Sequence, residues 1–456
     1  DSILLDGIFG GIKYEGSFTS DLIYEAKRNE LLILDRGNFR LVRYSLDNKK
    51  IIASIATGRQ PFGLAISPDQ KTVLVANVGM YAYPIVEGTT KENIQSQYIN
   101  WHPYGNNTKE SIEGKVIDGK KIPGLGSPNV DESMSVYVID LATNKVKAKL
   151  KTGMLLGELV EDAEVIGGAS PNSIVVGTKF AYVTNATNDN IAVIDYKRGR
   201  IAKHIAIKVD QRIDKLRGLV PFGIDLTKDE KYLFVALLGF NAVAKIDLAS
   251  EKTLGLIPTG WGTTRVKLSN DDKTIYVTSC RGLGAGPNGG KNFKIPAQGS
   301  YIGDIQLGSF QKIENPSIDK LKAYTKQTIE NTFIVKSQTD SLPLPVLPGS
   351  KESPIKHIVF ITKENRTFDE VFGQMKNIRG ESSLARFGLD VTVMDKTGIV
   401  KNVNVTPNHH KIAKQFSLSD NFYCDSDASI HGHHWMMGVI PNEWVEANSS
   451  TEKTAD

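Results

Sequence analysis

Two polar segments of the sequence carry side chains suited to metal or phosphate chemistry. In the first, Glu364 and Asn365 follow the apolar run 358–361 after Thr362 and Lys363. Such a run predicts a buried strand of an α/β sheet, and ligands bind at the carboxyl ends of strands in such sheets. A carboxylate oxygen beside an amide oxygen is a suitable donor set for a divalent cation. This segment therefore predicts metal ligation by Glu364 and Asn365.

The second polar segment contains His431, His433 and His434, three of the eight histidines in the chain. Imidazole groups can bind phosphate, protonate a leaving group or ligate a metal. The alternative is that one of the three faces a site while the others are solvated or packed on Trp435. The spacing alone leaves both alternatives open.

Predicted helices and a second strand position these segments. Thr367 can cap a helix after the first segment, and Thr406 can cap a helix with Pro407 at its first position. The second helix is expected to run through Ile412, Ala413 and Phe416, with His409 and His410 on its surface. Residues 416–423 then predict a second core strand.

Residues 364–373 read E-N-R-T-F-D-E-V-F-G. This segment resembles the motif of the phosphoesterase family of bacterial non-haemolytic phospholipases C and acid phosphatases, within the alkaline-phosphatase-like superfamily. The resemblance implies that Glu364 and Asn365 ligate the active-site metal. The family also has an S-D-N-F-[FY] strand, matched here by 419–423, which precedes a phosphate-accepting hydroxyl. By register that hydroxyl belongs to Ser429, with Ser426 as the weaker candidate.

The resemblance implies a phosphoric ester hydrolase in which Ser429 attacks phosphorus. His431 is the expected catalytic partner, and His433 and His434 are expected to bind substrate. The cofactor is expected to be a divalent metal: zinc, calcium, manganese or magnesium. The family's later Asp and His ligands do not occur within 355–456, so these residues are expected to be the N-terminal part of a truncated α/β domain. We therefore expect a chain that continues past Asp456, and a catalytic part that is inactive alone.

The first three hundred residues repeat a pattern of four short strands with polar turns. Five units can be delimited at 10–57, 58–153, 168–207, 218–260 and 261–313. Four strands per unit, at a period near forty residues, are typical of β-propeller blades. The units resemble the YVTN repeat family, and residues 182–185 read Y-V-T-N. A β-sandwich is the alternative fold, and the total number of blades, five or seven, stays open.

Two insertions and a proline-rich segment complete the organisation. The insertion at 80–134 predicts loops on one face of the propeller, where partners often bind. The glycine-rich segment 282–291 lacks the phosphate-loop pattern, because Ala285 and Asn292 stand at two of its required positions. After it, 315–317 open a predicted helix whose buried side chains are Ile318, Leu321 and Ile329. The predicted domains are the propeller at 1–335, a linker at 336–354 and the phosphoesterase part at 355–456.

Composition limits the remaining possibilities. The 456 residues carry a formal net charge of +4 and no dense basic cluster, so no nucleic-acid partner is expected. Two cysteines make neither a disulfide framework nor a zinc motif. No apolar run approaches a membrane span in length. The chain begins at Asp1, so removal of a leader is expected, with a secreted, periplasmic or outer-membrane-associated location.

Three functions are compatible with these features. The leading hypothesis is a metal-dependent phosphatase or phospholipase C-like enzyme acting on a phosphate ester, with an accessory propeller. The alternative is a non-enzymatic cell-envelope or secreted propeller that binds a protein or glycan partner at its face. A third is an enzyme with its site in the propeller channel, although no convergent acidic or histidine cluster repeats in the blades.

Overall fold

The computed structural model describes most of the propeller region and part of the phosphoesterase region. The described residues are 2–81, 84, 86–90, 92–93, 108–160, 163–165, 168–214, 217–282, 307–333, 354–420, 422, 429, 432–433 and 436. Their contacts separate into two compact units, one formed by 1–334 with 434–456 and the other by 335–433.

The first unit consists of antiparallel sheets that succeed one another along the chain. A short hairpin precedes them, formed by β1 (Gly7–Phe9) and β2 (Ile12–Tyr14). The first blade contains β3 (Thr19–Glu25), β4 (Glu30–Asp35), β5 (Arg40–Ser45) and β6 (Lys50–Ala56). The second begins with β7 (Pro61–Ile66) and β8 (Thr72–Asn77). The insertion then supplies helix α1 (Lys109–Glu113) and a hairpin of β9 (Gly114–Ile117) and β10 (Lys120–Pro123).

The second blade closes with β11 (Ser135–Asp140) and β12 (Lys145–Lys151), and a small pair, β13 (Leu159–Val160) and β14 (Ala163–Glu164), comes after it. The third blade contains β15 (Pro171–Val176), β16 (Ala181–Asn185), β17 (Asn190–Asp195) and β18 (Arg200–Ala206). The fourth contains β19 (Pro221–Leu226), β20 (Tyr232–Leu237), β21 (Ala242–Asp247) and β22 (Lys252–Pro258). The fifth has three strands among the described residues, β23 (Thr263–Leu268), β24 (Thr274–Ser279) and β25 (Ser309–Glu314).

These five sheets confirm the predicted β-propeller class, because each sheet falls on one sequence repeat. Alternate side chains of a strand point to opposite faces, and the blades use this period of two. In β8, Val73 and Val75 pack towards the first blade, whereas Leu74 and Ala76 pack towards the third. Apolar clusters of the same kind join the third blade to the fourth and the fourth to the fifth.

The polar turns form as predicted from their residue types. Ser67 Oγ donates to Asp69 Oδ1 at 2.6 Å and accepts from the backbone N–H of Thr72 at 3.0 Å. The hydroxyls of Thr227 and Ser269 bind Asp229 and Asp271 in the same way in later blades. Side-chain oxygens thus complete these three turns between the first and second strands of the second, fourth and fifth blades.

Helix α2 (Ile318–Thr332) comes after the fifth blade, and Ser317 caps it by accepting from the Lys320 N–H. The helix packs on β22, where the Thr325 hydroxyl accepts from the Leu256 N–H at 2.9 Å. The predicted burial of Leu321 is confirmed at 5% exposure, but Ile318 is 75% exposed and its predicted burial was wrong. The buried face of the helix begins at Leu321, one turn after its first residue.

The second unit contains helix α3 (Phe368–Phe372), the hairpin β26 (Val391–Asp395) and β27 (Gly398–Val403), and helix α4 (Pro407–Gln415). The hairpin escaped the sequence prediction. Both predicted core strands of this unit were wrong for the described residues. Residues 358–361 are 71–84% exposed and unpaired in any sheet of the described chain, and Phe416 and Phe422 are also exposed. A strand needs a hydrogen-bonded neighbour, and the described residues supply none to either segment.

Candidate metal and phosphate site

The motif 364–373 divides into an anchored part and an exposed part. In the anchored part, Thr367 and Glu370 form a reciprocal capping box at the start of α3. The Thr367 N–H donates to Glu370 Oε2 at 3.0 Å, and the carboxylate also pairs with Arg386. The backbone bond from Thr367 and the Arg386 charge hold the pKa of Glu370 below its usual value. Glu370 therefore has a structural role.

Aromatic rings hold α3 against α4. Phe372 lies 5.4 Å from Phe368 and 5.5 Å from the His410 ring, between ring centroids. The ring nitrogen Nε2 of His410 lies 2.7 Å from the carbonyl oxygen of Val371, and His410 is only 2% exposed. The predicted surface position of His410 was therefore wrong, because a carbonyl on α3 gives its buried nitrogen a partner.

Other motif residues also make structural contacts. The Arg366 guanidinium lies 4.4 Å from the centroid of the Phe387 ring. Asp369 Oδ1 accepts from the Glu381 N–H at 3.0 Å. A Cβ at Gly373 would lie 2.4 Å from the Glu381 carbonyl oxygen, so this close approach requires glycine.

Glu364 and Asn365 remain exposed at the start of the motif, joined by a cis peptide bond. Glu364 Oε2 lies 3.6 Å from Nε2 of His433, and both side chains are about half exposed, at 48% and 45%. The two polar segments identified in the sequence thus meet at this contact. The second segment is anchored before it by Asp420, which accepts from the Arg379 N–H at 2.8 Å.

The remaining predicted residues are placed only in part. Ser429 has helical backbone and an exposed side chain. Among the contacts of the described chain, none joins Ser429 to Glu364 or Asn365. His431, His434 and Ser426 lie outside the described residues.

The chemistry of the donor set fits a divalent cation. Two ligands about 2.1 Å from one tetrahedral ion are about 3.4 Å apart, close to the separation of the Glu364 and His433 atoms. The amide oxygen of Asn365 is a further candidate donor next in the chain. Within the described residues, no group of three His, Cys, Asp or Glu side chains converges, and the contact found there joins the two donors Glu364 and His433.

One contact beside this site escaped the sequence prediction. Nζ of Lys363, the residue directly before Glu364, lies 2.6 Å from Nε2 of His409. His409 occupies the first turn of α4 and is partly buried, so its predicted surface position holds only in part. The sequence feature that could have pointed to this contact is a lysine directly before a predicted metal ligand.

Comparison with known families identifies the domain to which these residues belong. The Phosphoesterase family matches residues 355–454, which include every candidate site residue. The chain thus carries a Phosphoesterase family domain behind a β-propeller, as the sequence motif predicted. The match supports phosphate ester hydrolysis as the class of reaction. No curated protein matches the chain.

Solved structures similar to this chain include propellers of distant sequence. Hydrazine synthase of Kuenenia stuttgartiensis is 17% identical, with 68% of this chain and 67% of that chain covered and a TM-score of 0.39. The Cps50 (Swd1) β-propeller domain of Myceliophteria thermophila is 9% identical, with 59% and 64% covered and a TM-score of 0.39. Virginiamycin B lyase from Staphylococcus aureus is 12% identical, with 66% and 71% covered and a TM-score of 0.35. No activity is inferred from them.

The helices of the described residues were also compared with the length and hydropathy of a membrane span. None of them is both long enough and apolar enough to cross a bilayer.

Proposed function

We propose that this protein is a metal-dependent phosphoric ester hydrolase of the phosphatase or phospholipase C type, secreted or held in the cell envelope. This proposal rests mainly on the 3.6 Å contact between Glu364 and His433. Both side chains are about half exposed, and both residues lie within the match to the Phosphoesterase family. Exposed polar groups that lie close together are available to a ligand, because neither is needed to pair with a buried charge. Glu364, Asn365 and His433 would hold the ion.

In the proposed mechanism, Ser429 is the nucleophile. Its oxygen forms a bond to phosphorus while the ester P–O bond breaks, and the hydroxyl proton leaves to a base. His431 gives a proton to the departing alkoxide. Water then forms a bond to the phosphorus of the phosphoserine while the serine P–O bond breaks, a proton returns to the Ser429 oxygen, and the phosphate product is released. A divalent cation held by Glu364, Asn365 and His433 would supply charge stabilisation at the phosphoryl oxygens and would lower the pKa of the hydroxyl. His434 is proposed to orient the substrate.

The test is hydrolysis of a chromogenic phosphate ester by the full-length protein with zinc, calcium, manganese or magnesium. Ser429→Ala and Glu364→Gln are expected to lower kcat by at least about a hundredfold, as loss of a nucleophile or a metal ligand does. Acid quenching and then mass spectrometry should find phosphate on Ser429 in the wild type. Ser417→Ala, an exposed serine of the same unit, serves as the matched control.

Two outcomes would contradict the proposal. One is a wild-type protein without hydrolysis in any of the four metals. The other is a Ser429→Ala variant that retains wild-type turnover, which would remove the nucleophile. Circular dichroism of each variant separates loss of activity from loss of fold.

One observation favours a second function, partner binding by the propeller insertion. The Arg59 guanidinium donates to the carbonyl oxygens of Met80 and Ser127 at 2.8 and 3.0 Å, which ties together both legs of the insertion. The Lys151 ammonium donates to the carbonyls of Pro128 and Ser133 at 2.7 Å each. A protein or glycan partner is proposed at this fixed surface. Capture of such a partner by the wild type, and its loss in Arg59→Ala, would test the assignment.

A further inference from the structure

The Lys363–His409 pair lies beside the proposed metal ligands. Lys363 is exposed, and its ammonium nitrogen has three N–H donors, of which the His409 contact at 2.6 Å uses one. With the ammonium as donor, Nε2 of His409 is the acceptor, and its ring proton therefore sits on Nδ1. The lysine thus keeps two ammonium N–H groups for a ligand while the histidine holds the third.

The position of His409 is fixed by its neighbour. His410 anchors the first turn of α4 through its 2.7 Å contact with the Val371 carbonyl and its packing on Phe372. Because α3 lies within the motif itself, this contact of His410 keeps His409 close to Lys363. The histidine in turn holds the long lysine side chain in one place, which lowers the entropy lost when an anion binds.

The lysine of the pair is the direct chain neighbour of Glu364, a proposed metal ligand. Lys363 and Glu364 are consecutive, so their Cα atoms are about 3.8 Å apart. A phosphate monoester carries a charge between about −1.5 and −2 at pH 7, whereas a diester carries a single charge. A second cationic centre beside the metal ligands therefore favours the monoester.

We propose that Lys363 and His409 form an anion subsite that binds the second negative charge of a phosphomonoester. This inference rests on the proposed hydrolase function and narrows its substrate class to monoesters. Lys363 supplies the charge, and His409 is a positioning residue that acts through Lys363.

The experiment has a binding readout and a kinetic readout. Calorimetric titration of the full-length protein with inorganic phosphate, in the presence of zinc, calcium, manganese or magnesium in turn, measures the subsite without turnover. Lys363→Met is expected to weaken phosphate binding about tenfold, as loss of a charge-assisted hydrogen bond does. Lys363→Arg should retain most of the affinity, and His409→Gln should give an intermediate loss. Lys411→Met, an exposed lysine on α4, is the control expected to match the wild type.

The kinetic readout compares p-nitrophenyl phosphate with bis(p-nitrophenyl) phosphate. Lys363→Met should lower the monoester kcat/KM about tenfold and leave the diester value within about twofold. Equal losses for both esters, unchanged phosphate binding in Lys363→Met, or an equal loss in Lys411→Met would overturn the subsite. Failure of the hydrolase proposal is distinguishable, because it appears as Ser429-independent turnover or as no turnover, whereas the phosphate titration depends on neither.

Discussion

The carboxylate of Glu364 and the imidazole of His433 lie 3.6 Å apart, although they belong to different segments of the second unit. Neither group is buried, so neither needs the other to offset the cost of lost solvation. Exposed pairs of this kind contribute about 0–1 kcal/mol to stability. Their closeness therefore adds little to folding, and we propose that it serves a shared ligand.

This relationship predicts that the two side chains bind the same ion. Glu364→Gln and His433→Gln should each lower the affinity for zinc about tenfold to a hundredfold, because each removes a ligand or its charge. The double variant should depart from the product of the two single losses if both ligate one ion, because residues that share a partner are coupled. Calorimetric zinc titration of the full-length protein measures each affinity.

The matched control for zinc binding is His357→Gln, which alters an exposed histidine of the same unit outside this contact. It should bind zinc as the wild type does. Independent, additive losses in the Glu364 and His433 variants would contradict a shared ion.

A second prediction concerns the inner strands of the propeller. A Cβ at Gly63 would lie 1.8 Å from the backbone carbonyl oxygen of Asn172 on the next blade, so Gly63→Ala forces the blades apart. We expect a loss of about 2–4 kcal/mol in the free energy of unfolding. Urea unfolding measures the change. Ser173→Ala, at the equivalent position of the third blade where a side chain already fits, should cost about 1 kcal/mol or less.

The propeller could be predicted because its determinants are local in the sequence. Each blade uses neighbouring strands and a short polar turn such as that of Ser67 and Asp69, so one repeat contains nearly all the information for one sheet. The packing of α2 on β22 was harder to predict from the sequence. It depends on Gly255, where a Cβ would lie 2.6 Å from the Thr325 hydroxyl oxygen, a contact across distant parts of the chain.

The second unit was harder to predict because its contacts are non-local. The apolar run 358–361 has strand composition, but a strand forms only with a partner, and composition does not supply one. Histidine is polar, so His410 was expected at the surface. It is buried because the carbonyl oxygen of Val371, on another helix, contacts its ring nitrogen. The motif alone identifies Glu364 and Asn365 as candidate metal ligands. The contacts of Glu364 with His433 and of Lys363 with His409 join residues far apart in the sequence and appear only in the structure.

A third prediction rests on Asp140, which pairs with Lys147 and accepts from the Thr143 N–H at 2.9 Å. The Lys147 bond, and after it the Thr143 backbone bond, holds the pKa of Asp140 well below its ordinary value. A lowered folded-state pKa stabilises the protein above the unfolded value of about 4, and this contribution is lost as the pH falls below it.

Replacement of this carboxylate tests the acid dependence. Asp140→Asn should reduce the free energy of unfolding by at most about 1 kcal/mol at pH 7, since Lys147 is exposed, and by progressively less from pH 4 downwards. Urea unfolding at pH 7, 5 and 3 measures the difference. Lys147→Met should reproduce part of the effect, and a difference that grows in acid would contradict the assignment.

The last prediction concerns Lys151, whose ammonium is held by backbone carbonyls at the base of the insertion. Burial, and then the nearby Arg59 charge, lower the pKa of Lys151 to about 8, from 10.5. The groups facing it from the insertion are Asp131 and Glu132, whose charges act in the opposite direction. Between pH 8 and 10.5 the unfolded chain binds more protons than the folded one, so this residue makes the protein more stable as the pH rises.

Comparison of the wild type with Lys151→Met isolates this contribution from every other group that titrates in alkali. The free energy of unfolding of the wild type, minus that of the variant, should rise by about 2 kcal/mol between pH 7.5 and 10. Urea unfolding at these pH values measures it. Lys149→Met, two residues earlier on the same strand, should show the opposite slope, because its bond to Glu132 raises the pKa of Lys149. A wild-type advantage that shrinks with rising pH would mean that the carbonyls of Pro128 and Ser133 favour the charged ammonium more than burial opposes it.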